Sequence, residues 1–109
     1  MSKKISFDEA YSEAVTQAFE ILGNQVSKIV TDYLQQKHSI ILKKTAANPA
    51  ILDEALNNAI DGGRFIIERR IIRLLYEKLG LEDYNAEISE LGFEGKINEA
   101  RRRYKNASD

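Results

Sequence analysis

Apolar residues recur at helical spacing along most of this chain. From Tyr11 they fall at Val15, Ala18, Leu22, Val26, Ile29 and Tyr33, in steps of three or four residues. That repeat lines one face of an α-helix. Ser6, with Glu9 three residues later, has the pattern of a capping box at its start. The hydroxyl satisfies a free amide of the first turn and the carboxylate reaches back. The stripe keeps its phase across Gly23-Asn24 and so predicts one long first helix, although glycine costs about 1 kcal/mol against alanine in a helix. Two helices meeting at Gly23 are the alternative.

The stretch "HSIILKKTAA" is the least helical. It reads as a connection whose isoleucines, Ile40 and Ile41, plug the core. Asn48-Pro49 then opens a second helix, with Asn48 as N-cap and Pro49 at the first helical position. Its apolar stripe is Ile51, Leu52, Ala55, Leu56, Ala59 and Ile60. Asp61-Gly62-Gly63 forms the turn into a third helix over residues 64–79. Gly80 and Leu81 end that helix in a Schellman arrangement, with Leu81 packing back on Tyr76. Gly92 and Phe93 suggest the same device after a short helix over 83–91. The last helix carries Ile97, Ala100 and Tyr104, and residues 105–109 are expected to fray.

The third helix is unusual. Phe65, Ile67, Ile71, Ile72, Leu74, Leu75, Tyr76 and Leu79 cover an arc of roughly 200° at 100° per residue. A helix apolar over so much of its girth is packed on two sides. The prediction is an all-α, compact bundle of about five helices in a single domain spanning residues 1–109, with this amphipathic third helix at its centre.

Composition narrows the functional classes. Hydrophobic residues at 43% and charged residues at 30% describe a globular chain. Sixteen Lys plus Arg against 17 Asp plus Glu leave a net charge of −1. A nucleic-acid contact would therefore need a local basic patch. The absence of cysteine excludes disulfides, thiolate metal sites and cysteine nucleophiles. No apolar run approaches the roughly 18 residues of a membrane span. The first residues lack the apolar region of a secretory signal, so a cytoplasmic protein is expected.

Candidate chemistry is sparse. "DGGR" is too short for a phosphate loop, and no nucleophile-elbow or zinc-protease motif occurs. His38, the sole histidine, stands between Lys37 and Ser39 and reads as a solvated helix-end residue. The acidic pairs Asp53-Glu54 and Glu82-Asp83 lie near helix starts, where the helix dipole accounts for them. No catalytic, cofactor or metal residues are assigned, and the expected function is noncatalytic.

The third helix holds the remaining candidates. Arg69, Arg70 and Arg73 share its narrow polar face with Glu77, and Ile66 stands isolated there. Ile66, Arg69, Arg70, Arg73 and Tyr76 are candidates for a subunit interface, since arginine and aromatic residues around an apolar strip suit such contacts. A homodimer through this helix, or through the near-heptad stripe of the first, is the expected assembly. Glu68 lies inside the apolar arc, and its expected partner is Arg64, one turn earlier, or a basic residue across an interface.

Nucleic-acid binding is the competing reading. Two helices around a glycine turn have a helix-turn-helix layout, with Arg69, Arg70, Arg73 and the basic cluster Arg101, Arg102 and Arg103 as contacts. A recognition helix, however, presents polar residues in its first turn. Here that turn is Phe65, Ile66 and Ile67.

"AFEILGNQV", "YLQQKHSI", "NPAILDEAL" and "DGGRFIIERRIIRLLYEKLGL" together resemble a small helical family of ammonia-oxidising archaea, described as output domains of signalling proteins. The resemblance covers residues 19–81. It departs where an aromatic-Gly step is expected and the chain has Ile60-Asp61-Gly62-Gly63. It implies a noncatalytic regulatory module with a signalling partner, and carries no catalytic residues.

Overall fold

In the computed structural model the described residues are 5–60, 62–81 and 92–108, with side chains described through Lys105. They form five α-helices and no strand: α1 (Phe7–Leu22), α2 (Asn24–Tyr33), α3 (Pro49–Ala59), α4 (Arg64–Leu79) and α5 (Phe93–Ser108). A π-helical turn (Leu34–His38) extends α2, and a 3₁₀ turn (Leu42–Ala47) leads into α3. The expected short helix over 83–91 lies outside the described residues. So do Asp61 and the pair Glu82-Asp83.

The capping box forms at α1: Glu9 N–H donates to Ser6 Oγ at 3.1 Å, and Ser6 N–H donates to Glu9 Oε1 at 3.3 Å. The long first helix does not form. Gly23 stands at φ 90°, ψ 169°, a backbone region essentially reserved for glycine, and the chain breaks there into α1 and α2. The break also resets the helical phase. Beyond it the buried positions are Val30 and Leu34, with Val26 half-buried, while Ile29 is left exposed. The continuous stripe in the sequence is therefore two stripes that meet by coincidence of spacing.

The connection after α2 fills the core differently from expectation. Ile41 is exposed and Ile40 only half-buried; Thr45 and Ala46 are the buried residues. Tyr11 explains why a threonine works there. Its buried hydroxyl donates to Thr45 Oγ1 at 2.7 Å, and Thr45 Oγ1 in turn donates to Leu42 O at 2.7 Å. Burial pushes the Tyr11 phenol well above its usual pKa. A buried hydroxyl without a partner is costly, and this chain of two bonds leaves none.

Pro49 begins α3 as predicted, but the Asn48 side chain makes no capping bond. Two glycines then turn the chain into α4 for separate reasons. Gly62 has φ 79°, and a Cβ on Gly63 would come within 2.7 Å of Ile60 Cγ2. At its far end α4 closes in the predicted Schellman motif: Leu81 N–H donates to Tyr76 O and Gly80 N–H to Glu77 O, with Gly80 at φ 70°.

α4 is the central element. Its most extensive partner is α1, and it also packs on α3 and α5. Ile67, Ile71, Ile72, Leu75, Tyr76 and Leu79 are buried against these neighbours. α5 begins at Phe93, with Phe93, Ile97 and Ala100 buried, and its Tyr104 hydroxyl donates to Ile5 O beside the start of α1.

Candidate interaction surface

Helical geometry sorts α4 into a buried side and one exposed strip. Positions 66, 69, 70 and 73 fall on one face at spacings of three and four. Ile66, Arg69, Arg70 and Arg73 are all exposed, and Glu77 continues the strip. Ile66 is 75% exposed and its neighbour Phe65 65% exposed, the two most exposed large apolar residues described. The three arginines form no ion pair among the described residues.

Two expectations for this helix need correction. Tyr76, expected at an interface, is buried within the chain. It sits under the Arg103 guanidinium, 5.7 Å from the ring centroid, and its hydroxyl lies 3.4 Å from Lys96 O. Phe65, expected in the apolar arc, instead stands at the surface with the Arg64 guanidinium 4.6 Å from its ring centroid. Position 65 falls at the edge of the arc, in the first turn, where α4 emerges from the glycine turn and none of the described helices buries it.

Glu68 is buried, as its place in the arc requires, but the expected pairing with Arg64 gives way to a relay. Arg64 Nε lies 3.1 Å from Asp53 Oδ1 on α3, and Arg64 also donates to Asn57 Oδ1. The Glu68 carboxyl meets Asp53 rather than the guanidinium. Arg64 is half-buried and turns back along α3, so its guanidinium sits against Asp53 and Asn57 and not against Glu68. Burial above all, and then the contact with Asp53, push the Glu68 pKa up to about 8 against the opposing pull of Arg64 and Lys96. The raised pKa favours the protonated carboxyl, and Glu68 Oε2 is buried without a hydrogen-bond partner among the described residues.

Beside Glu68 a cleft of about 310 Å³ opens between α4 and the start of α5. Phe65, Ile72 and Phe93 give it apolar walls, and Arg69 and Lys96 bring positive charge. Arg69 belongs to both the cleft and the exposed strip.

The acidic pair Asp53-Glu54 does more than face a helix dipole. Its two members point to different neighbours: Asp53 to Arg64 and Glu68, Glu54 to α2. Tyr33 Oη donates to Glu54 Oε2 at 2.6 Å, and His38 Nε2 lies 3.0 Å from the same oxygen. His38 is therefore half-buried and in contact with Glu54, not a solvated helix end. The Tyr33 bond, then His38, hold the Glu54 carboxyl below its usual pKa. Adjacent residues on a helix diverge by 100°, so adjacency in an acidic pair is itself the signal that the two serve different neighbours.

The C-terminal arginines do not join the strip as one patch. Arg101 stacks 4.8 Å from the Phe7 ring centroid and donates to Asn98 Oδ1 at 2.8 Å. Arg102 pairs with Glu99, and Arg103 covers Tyr76. Three consecutive residues on a helix point in three directions, which disperses the cluster seen in the sequence. Among the described residues no helix is long and apolar enough to cross a membrane. Compared with protein-family models, with curated proteins and with solved structures, the chain matches none.

Proposed function

We propose that the protein is a noncatalytic, self-associating interaction module of a regulatory pathway, with the exposed strip of α4 as its contact surface. The observation that carries this reading is the strip itself. Ile66 is exposed at the head of a row of three exposed arginines on a helix whose other side is buried against α1, α3 and α5. A rigid element presenting an apolar residue beside arginines is the composition of a contact surface. The resemblance of residues 19–81 to the archaeal output-domain family supports the regulatory setting and a signalling partner. Sedimentation velocity across a concentration series tests the assembly. A weight-average mass that rises with concentration is expected; a strictly monomeric mass at high micromolar concentration contradicts it.

The three exposed arginines also support a second reading, a nucleic-acid-binding regulator. Against it stand the apolar first turn of α4 and the separate engagements of Arg101, Arg102 and Arg103. Binding of duplex DNA through phosphate contacts weakens steeply with salt as counterions are released. Titration of duplex DNA at low and physiological salt separates the two readings. The interaction module predicts little binding at physiological salt, whereas tight binding with a steep salt slope favours the regulator.

A further inference from the structure

The cleft beside the strip has a chemistry of its own. Its apolar walls come from Phe65 and Ile72 on α4 and Phe93 on α5. Arg69 and Lys96 bring positive charge to it from the two helices. The acid in its lining, Glu68, is 5% exposed, so the charge that the cleft presents to solvent comes from Arg69 and Lys96. Arg73 lies one turn beyond Arg69 on the same exposed surface, and Arg70 flanks the two. At about 310 Å³ the cleft stands at the low end of the roughly 300–1,000 Å³ typical of small-molecule pockets. It is the size for one large side chain, inserted from outside.

We propose that this cleft receives an aromatic or long aliphatic side chain from an acidic segment of a separate protein, whose carboxylates pair with Arg69, Arg70 and Arg73. The charge pattern selects that occupant. A second copy of this chain can cover the apolar part of the face around Ile66, but it offers only Glu77 on its own strip and so leaves most of the charge of Arg69, Arg70 and Arg73 without a carboxylate partner. A basic peptide would be repelled by those arginines. An acidic segment with one apolar anchor satisfies both halves of the surface. Its anchor leaves water between Phe65, Ile72 and Phe93, and its carboxylates make charge-assisted bonds with exposed guanidinium groups. The inference rests on the reading of α4 as a contact face, but not on self-association.

Fluorescence-anisotropy titration of the full chain tests it with three labelled peptides of about twelve residues: one acidic with a central phenylalanine, the same peptide with that phenylalanine changed to alanine, and a basic peptide with the phenylalanine. The expected result is micromolar binding of the first, at least about tenfold weaker binding of the second, and none of the third. Arg69→Glu, an exposed substitution that leaves the fold alone, is expected to weaken the first by about tenfold or more. Equal binding of the phenylalanine and alanine peptides overturns the cleft as the anchor site. Failure of the acidic peptide to bind at millimolar concentration overturns the proposal altogether. The sedimentation series keeps the two ideas apart. Lost peptide binding with self-association intact removes only the acidic partner, and a monomer that still binds the peptide removes only the self-association.

Discussion

Glu68 carries the most specific chemistry of any single residue here. Its pKa stands at about 8 in the folded chain, against an ordinary 4.5. Between those values the folded protein holds a proton that the unfolded chain has lost, so stability falls as pH rises. The contribution is complete below about pH 4.5, declines through neutrality, and levels off above about pH 8. Glu68→Gln keeps an N–H donor for Asp53 and removes the titration. The wild type is expected to lose stability between pH 5 and 8 relative to this variant, which at pH 8 gains about 1–3 kcal/mol. Denaturant melts of both proteins at each pH check this, and parallel pH profiles contradict it. Thr45 is a second sharp position. Thr45→Val keeps the shape but leaves the Tyr11 hydroxyl buried without its partner, at a cost of about 1–3 kcal/mol in chemical denaturation. In the sequence Glu68 was visible as an acid where an isoleucine belonged. Its partner was not, because Asp53 is brought to it only by the packing of α3 on α4. Thr45 gave no signal at all, since a single threonine in a loop looks the same whether it is buried or exposed.

At the scale of elements, the sequence located three of the helix starts or ends through capping chemistry. Ser6 with Glu9, Pro49, and Gly80 with Leu81 each act as their local patterns require. Gly23 is where pattern reading failed. A helix tolerates glycine, and an apolar stripe that stays in phase argues for continuity. Yet the backbone breaks at φ 90° and the buried face shifts to Val30 and Leu34. Phase alone cannot reveal such a break when the residues after it offer two overlapping stripes. Substitution decides between the two pictures by its sign. In a continuous helix Gly23→Ala stabilises by about 1 kcal/mol. In the broken helix it forces a side chain into a glycine-only region and costs about 1–3 kcal/mol. We expect a loss, measured by thermal melting. The space around Gly23 is open, so any loss arises from backbone strain and not from a clash.

The whole molecule has a radius of gyration of 13.6 Å, close to the roughly 13 Å expected of a compact domain of this length. α4 lies at its centre, with α1, α3 and α5 packed on it, and Tyr104 ties α5 back to the start of α1. This arrangement was largely legible in advance, because an apolar arc of such width can be satisfied only by neighbours on more than one side. The candidate surface was legible in part. The polar face of Arg69, Arg70 and Arg73 followed from helical geometry, and Ile66 stood out against it. The exposure of Phe65, the burial of Tyr76 and the cleft against Phe93 depend on where neighbouring helices end, which local spacing does not encode. The central claim is that the exposed strip of α4 is a contact surface and not part of the fold. Sedimentation velocity of the wild type and Ile66→Glu, run side by side with circular dichroism, tests it most directly. The account predicts a concentration-dependent mass for the wild type, a monomeric mass for the variant, and equal helicity for both. Loss of helicity in Ile66→Glu, or an unchanged assembly, would contradict it.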